Sequence, residues 1–326
     1  MKTSLELRLG WIGLGSMGIG LTKNLQKYIS ADSLTPLHYT NRTLSRGDSL
    51  KELGAVPCNT IGELAQCCDI VFSSISDDSI LFSLVESFIA SGNVAGKILV
   101  DTSTVHPDTS RLVNVKLSEL GAKYIAAPVF GASPAANAGT VLFAVAGSDA
   151  AVSTVLPLLN AMSRKVLRTG EEPRKALLLK TTSNFLMAGL MELVAEAHVL
   201  GEKTGLGTTA VEELLQENFG PVIYNDSIRM TTGVYAPPKG VEPWSAVGLA
   251  IKDVKHGIDL AKQSDVNLPM GLLALDHLEQ ASAWGDKNDR DLDSTSIYGV
   301  VREEAGLDFE TETVKDNCIK HKRSGN

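Results

Sequence analysis

Lys180 and Asn184 stand four residues apart, the spacing that puts two side chains on one face of a helix. A lysine amine can hand a proton to a substrate oxygen while an asparagine amide orients it. That chemistry requires burial to bring the amine from its usual pKa of about 10.4 toward neutrality. On spacing alone a solvated helix face suits the same pair. A second chemical feature is the turn Gly13-Leu14-Gly15-Ser16-Met17-Gly18, between the apolar run Leu7, Leu9, Trp11, Ile12 and a helical stretch at 21–28. Glycines at those three places let a strand turn tightly, the backbone approach a pyrophosphate, and the new helix pack on the strand with its amides facing the anion. Glycines also mark turns that bind nothing, but here the strand before and the helix after are both in place.

The next strand, 37–40, ends in Asn41-Arg42-Thr43, where an NAD-binding fold would normally carry Asp or Glu for the ribose diol. A carboxylate there would repel a 2'-phosphate. Arg42 can receive one through charge-assisted hydrogen bonds worth about 1.5–3 kcal/mol, so NADP is expected over NAD; a solvated loop arginine is the other reading. Asp101-Thr102-Ser103-Thr104 follows a later strand, with Pro107 opening a helix. Ligands gather at the carboxyl ends of strands in open α/β sheets, and these hydroxyls suit a small carboxylate; they equally suit helix capping. His106, just before Pro107, reads as a loop residue. Gly131 and Gly139-Thr140 flank the small-residue segment 132–138, read as a loop that either admits a ligand to its amides or joins elements closely. Lys252-Asp253 is by itself an ordinary charged pair.

These residues need a frame. Candidate strands at 55–57, 70–73, 98–100, 124–126, 141–146 and 166–168 alternate with helices such as 80–89, 107–120 and 150–159. Repeated β-α alternation predicts an α/β domain, a doubly wound, mostly parallel sheet covered on both faces. Residues 169–173 form a break. From 174 to 204 the sequence is helical, with Leu186, Leu190, Leu193 and Ala197 as one apolar stripe. That length is unusual for a globular helix and predicts a central helix shared between two domains. Helical segments follow at 211–218, 251–263, 271–284 and 297–305, with no strand signal after about 170. The division expected is therefore a dinucleotide-binding domain over 1–171, an all-helical domain over 172–315, and a polar, basic, disordered tail over 316–326.

Composition narrows the classes. A chain of 326 residues with net charge −8 does not suit a nucleic-acid or anionic-membrane surface. The most apolar stretch carries Glu192 and Glu196, so no membrane span is expected. The first strand starts too close to Met1 for a targeting segment. Cys58, Cys67, Cys68 and Cys318 show no metal-ligand spacing and fit a reducing compartment; nor do the six histidines pair. The expectation is a cytoplasmic protein with a small-molecule substrate and no metal.

Taken together, GLGSMG at 13–18, DTSTVHPDT at 101–109, APVFGASPAANAGT at 127–140, KTTSN at 180–184 and Lys252-Asp253-Val254 resemble, in order, the motifs of the β-hydroxyacid dehydrogenase family. That family includes 3-hydroxyisobutyrate dehydrogenase and the glyoxylate/succinic semialdehyde reductases. The resemblance implies that Lys180 is the catalytic acid/base and Asn184 its orienting partner. It puts Ser103, Gly131 and Ala132 around a substrate carboxylate, Thr104 and Lys252 near the nicotinamide, and backbone at Ile75 and Ser76 along the cofactor. Asn41-Arg42-Thr43 looks like the NADP-preferring branch, and a homodimer or homotetramer is implied. Two positions depart from the pattern. Phe130 stands where the family usually has serine, removing a hydroxyl and adding a ring to the substrate site; Ser183 stands where the related 6-phosphogluconate dehydrogenases carry histidine. The expected activity is interconversion of a small β-hydroxy acid and its aldehyde or keto acid with NADP(H). An imine or ketone reductase of the same fold and a catalytically silent NADP-binding scaffold are the alternatives.

Overall fold

The computed structural model describes residues 7–31 and 35–324, and the chain divides into two compact units, Met1–Lys180 and Thr181–Asn326. In the first unit the strands are Leu9–Ile12 (β1), His38–Thr40 (β2), Val56–Pro57 (β3), Ile70–Ser73 (β4), Ile98–Asp101 (β5), Lys123–Ala126 (β6), Val129–Phe130 (β7), Val141–Ala146 (β8) and Ser163–Gly170 (β9). The helices between them are Ser16–Ala31 (α1), Asp48–Lys51 (α2), Ile61–Cys67 (α3), Asp78–Ala90 (α4), Pro107–Glu119 (α5), Ser133–Ala138 (α6) and Asp149–Ala161 (α7).

The sheet order is β3-β2-β1-β4-β5-β6-β8-β7, with β9 beside β8. Strands β1 to β6 pair in parallel, whereas β8 meets β6 and β7 antiparallel. Alternation along each strand builds two cores. Trp11, Phe72, Val100, Ile125 and Phe143 turn to one face, where Leu21 and Leu25 of α1 and Val155 of α7 cover them. Ile12, Val71, Leu99, Tyr124 and Ala144 turn to the other, under Leu64, Leu84, Phe88 and Val113. The doubly wound, mostly parallel sheet expected from the alternation is present.

A helix from Arg174 to Thr204 (α8) leaves the sheet unit and ends before Gly205, the bounds read from sequence. Its opening turns belong to the first unit: Ala176 and Leu177 are buried with the second core, and Arg174 Nε pairs with Asp108 Oδ1 at 3.1 Å. Residues 172–180, assigned by composition to the helical domain, are therefore part of the sheet unit. The segment 132–138, read as a loop, is mostly the short helix α6. Pro134 sits in its first turn, and Asn24 Nδ2 of α1 donates to the Ala136 carbonyl at 2.8 Å. Its alanines and early proline suit a helix, and contact with α1 fixes it there.

The second unit continues with Thr208–Leu214 (α9), Pro221–Thr231 (α10), Val247–Gln263 (α11), Pro269–Asn288 (α12), Ile297–Glu304 (α13) and Glu312–Ser324 (α14). Among the described residues it contains no strand, only an isolated bridge between Ala246 and Asp293. Its core joins Ala188, Met191, Ala195 and Val199 of α8 to Met230, Ile258, Leu278 and Tyr298. Arg229 is buried at the centre, bonded to Asp226 at 2.8 Å, Ser294 at 2.9 Å, and Asp293. Burial pushes the Asp226 carboxyl up to about 6, against the pull of Arg229.

One expectation changes here. The tail from 316 is not disordered as far as Ser324 but forms the end of α14; residues 325–326 lie outside the described residues. Val314 enters the core, Asn317 Nδ2 donates to Thr232 O at 3.0 Å, and just ahead of the helix Thr311 N–H donates to Tyr235 Oη at 2.9 Å, so tertiary contacts hold this polar helix. The apolar stripe of α8 divides: Leu186 and Leu193, continued by Leu200, face outward, whereas Leu190 is half-buried and Ala197 packs against the helical-unit core. Leu186, Leu193 and Leu200 are 55, 53 and 65 % exposed, while the core is lined by the offset set from Ala188 to Val199. By length and composition α8 is apolar enough to cross a membrane. Its opposite face carries fully buried Glu192, bonded to His277 at 2.9 Å, and fully buried His198, bonded to Ser227 at 2.7 Å.

Candidate active site

The glycine turn is built by close packing. Gly13 has φ +94°, and a Cβ there would lie 2.1 Å from the Ser74 carbonyl oxygen. At Gly18 a Cβ would lie 2.3 Å from the Gly13 carbonyl oxygen, so the first turn of α1 is pressed against the end of β1. Gly15 differs: a Cβ there meets nothing within 4 Å. Two glycines are thus required by the protein itself. The third leaves open space in front of an N-terminus whose first amides lack intrahelical partners. That cradle, which side chains at Ser16 and Met17 border in sequence, fits a dinucleotide pyrophosphate.

The loop after β2 is fastened to this turn. Asn41 Oδ1 accepts from Leu14 N–H at 2.9 Å, and Asn41 Nδ2 donates to Thr43 O at 2.8 Å. Leu14, expected along the cofactor, buries its side chain in the core and gives its amide to Asn41. Arg42 and Thr43 are exposed, so the guanidinium that sequence assigns to a 2'-phosphate is open to solvent beside the fastened turn.

At the next strand ends a buried carboxylate gathers hydroxyls. Asp101 Oδ1 accepts from Ser73 Oγ at 2.8 Å and Ser103 Oγ at 2.6 Å, and Asp101 Oδ2 accepts from Tyr124 Oη at 3.3 Å. Burial raises the Asp101 pKa, and these bonds oppose the rise. Ser103, expected beside a substrate carboxylate, is only 5 % exposed. Its hydroxyl proton goes to Asp101 and its oxygen accepts from Ile75 N–H at 2.8 Å. In this arrangement Ser103 sets the course of the 75–76 backbone. Ser76 donates to Asp77 at 2.8 Å, and Asp77 caps α4 by accepting from Ile80 N–H at 3.0 Å. Thr104 is half-buried. His106 caps α5, its Nδ1 accepting from Asp108 N–H at 3.2 Å, in keeping with the loop reading.

Two pairings come from residues far apart in sequence. In the first unit, the Lys180 Nζ stands 4.9 Å from the centroid of the Phe130 ring. Phe130 ends β7, and Gly131 and Ala132 lead from it into α6. In the second unit, Asn184 Nδ2 donates to Asp253 Oδ2 at 2.6 Å, and Asp253 Oδ1 pairs with Lys252 Nζ at 2.9 Å. Asp253 thus links two residues that sequence reading had singled out separately. Its signal was an acid beside Lys252 in the fifth motif, passed over as a routine charge pair. Among the described residues no group of three His, Cys, Asp or Glu side chains is placed to hold a metal ion.

Two family models cover this frame. The NAD-binding domain of 6-phosphogluconate dehydrogenase matches residues 8–170, and the NAD-binding domain of NADP-dependent 3-hydroxyisobutyrate dehydrogenase matches residues 175–301. The chain belongs to the β-hydroxyacid dehydrogenase family. Within it, the NADH-dependent oxidoreductase ucdB of Aspergillus ustus is 31% identical, covering 91% of this chain and 100% of that protein. The mitochondrial 3-hydroxyisobutyrate dehydrogenase of Drosophila melanogaster is 27% identical over 91% of this chain and 90% of its own length. A Mycobacterium tuberculosis 3-hydroxyisobutyrate dehydrogenase, solved with L-serine, shares the fold with TM-score 0.75 at 20% identity, over 91% of this chain and 99% of that one. Family membership makes the protein an oxidoreductase with a nicotinamide cofactor.

The glycines separate folding from binding. Gly15→Ala should melt within a few degrees of the parent yet bind the dinucleotide at least about tenfold more weakly, since its methyl enters the open cradle. Gly13→Ala should be strongly destabilised, because backbone and not solvent meets its Cβ. Thermal melts and fluorescence titration with the cofactor check both; equal melting losses for the two would show that Gly15 serves packing.

Proposed function

We propose that this protein reduces the carbonyl of a small aldehyde or keto acid to the β-hydroxy acid, and runs the reverse oxidation, with Lys180 as acid/base and NADP(H) as cofactor. The observation carrying this reading is the Lys180 amine held over Phe130 in the unit that also contains the glycine cradle. Bound NADPH would supply a hydride to the carbonyl carbon. Lys180 would give a proton to the carbonyl oxygen, leave as a neutral amine and regain its proton from water; in oxidation the neutral amine accepts the hydroxyl proton. Asn184, held by Asp253, offers an amide one helical turn further along α8. Small-molecule dehydrogenases among the relatives support the substrate class, and a reductase acting on imines or ketones is the second reading, favoured by Phe130 in place of a hydroxyl.

Lys180→Ala should lower turnover at least about 100-fold while cofactor affinity by fluorescence stays within a few-fold of the parent. Lys180→Arg should not restore it, since a guanidinium holds its proton too tightly. Retained activity in Lys180→Ala, measured with semialdehydes, glyoxylate, hydroxy acids and cyclic imines, would refute the mechanism and favour the imine reading.

Arg42 supports the NADP assignment by supplying positive charge where an NAD site carries a carboxylate. Arg42→Ala should raise the KM for NADPH about tenfold or more and leave that for NADH nearly unchanged, the loss of about 1.5–3 kcal/mol. Equal losses with both cofactors would mean that Arg42 does not read the 2'-phosphate.

The outward stripe of α8 supports a homodimer or homotetramer. Leu186, Leu193 and Leu200 recur every seven residues with more than half of each side chain exposed, and half-buried Leu190 stands between the first two at heptad spacing. A second copy can cover this stripe with the same stripe. Sedimentation velocity at micromolar concentration should give a dimer or tetramer, and Leu186→Glu with Leu193→Glu should give a folded monomer. A monomeric parent protein would end this proposal.

A further inference from the structure

We infer that Asn24 is a positioning residue for the substrate loop. Its amide latches α1, the helix that opens at the dinucleotide cradle, to α6, the helix that Gly131 and Ala132 lead into. This rests on the reading of Gly131 and Ala132 as lining the substrate site.

Helix α6 has little of its own to hold it in place. It is six residues long and mostly alanine, only Ala136 is buried, and a helix that short is marginal in water. Its last carbonyls have no further helical turn to supply them with donors. Asn24 reaches them from α1. Nδ2 donates to the Ala136 carbonyl at 2.8 Å and to the Asn137 carbonyl at 3.3 Å, and is steadied on the Gly20 carbonyl at 3.0 Å.

Backbone contact fixes the same seat. A Cβ at Gly20 would lie 2.8 Å from Asn137 N and 2.9 Å from the Ala136 carbonyl carbon, so α1 and α6 touch through their main chains. Gly20 and Asn24 stand one turn apart and present this contact from one face of α1. Inside α6 the tie runs on to the loop, since Ala136 N–H donates to the Ala132 carbonyl at 3.1 Å. Ala136 thus receives Asn24 on its carbonyl and holds Ala132 with its amide. Gly131, with φ +133°, makes the turn just ahead.

Cofactor and substrate must meet with reacting atoms about 3–3.5 Å apart, and a misplacement of about 1 Å costs on the order of 100-fold in rate. A loop tied to the cradle helix keeps its distance from whatever the cradle holds. Asn24 itself touches neither reactant in this scheme and acts through α6.

Asn24→Asp keeps the side-chain volume and removes the donors, whereas Gly20→Ala pushes on the same seat from the α1 backbone. Each should lower kcat/KM for the carbonyl substrate about 10- to 100-fold, with a raised KM for that substrate. The cofactor dissociation constant, followed by fluorescence, should stay within a few-fold of the parent and the melting temperature within a few degrees. Hydrogen exchange reads the latch without turnover. The amides of Ala136, Gly139 and Thr140, all bonded within this turn, should be protected in the parent. In Asn24→Asp they should exchange at least about tenfold faster, with the amides of α1 unchanged. Unprotected amides in the parent, unchanged exchange in Asn24→Asp, or a cofactor affinity that falls as far as kcat/KM would each overturn the inference. Faster exchange with parental kinetics would instead overturn the reading of Gly131 and Ala132 as substrate contacts, and the inference with it.

Discussion

The close approach of the β1 and β4 ends governs the rest of the first unit. The Ser74 carbonyl occupies the place where a side chain on Gly13 would begin, and the Gly13 carbonyl occupies the same place for Gly18. A strand end, its neighbour and the start of a helix are thereby brought within van der Waals contact. Only a residue without a Cβ, free to take positive φ, can stand at Gly13. The protein itself fills the space at Gly13 and Gly18 but leaves that at Gly15 open, beside the first amides of the helix.

A polar constraint completes what this packing begins. Asp101 is wholly buried, and a buried carboxylate is tolerated only when its oxygens are supplied with donors. Ser73, Ser103 and Tyr124 supply them. They come from three neighbouring strands or their ends, so satisfying one carboxylate fixes β4, β5 and β6 relative to one another. Ser103 passes the constraint on to the Ile75 amide. The loop beside the cradle is therefore tied to the sheet through the bonds that supply this buried carboxylate.

The long helix α8 obeys two demands. Glu192, His198, Met191 and Ala195 look into the helical unit, where the polar members find partners. Leu186, Leu193 and Leu200 look away from it. A helix with apolar residues on two faces has more surface to bury than one core can take, and this supports the proposed self-association along the second face. Its first turns obey a further demand, since Arg174 and Leu177 fasten them to the sheet unit and so fix the root of Lys180.

Much of this was legible from residues close together in the chain. Glycine spacing between an apolar run and a helical stretch, the alternation of short apolar strands with helices, and the span of α8 to its last residue all follow from short-range rules of φ/ψ space, period and capping. The same local reading failed where distant partners decide the outcome. Helix α6 is received by Asn24 and α1, and α14 is held through Val314 in the core and Asn317 on Thr232, although the segment has little apolar surface of its own. On α8 the period marks Leu190 and Ala197 with Leu186 and Leu193, and only the fold separates the half-buried pair from the exposed one. That Asp101 and Ile75, two and 28 residues from Ser103, share its hydroxyl is likewise a product of the fold. Asp253 reaches Asn184 across 69 residues, and Phe130 reaches Lys180 across a strand edge and a helix root. The sequence by itself determined the kinds of chemistry present and the elements that carry them. Which groups face one another was decided by the tertiary structure alone, because burial, unpaired polar atoms and the approach of backbones are properties of surfaces that exist only after the chain has folded.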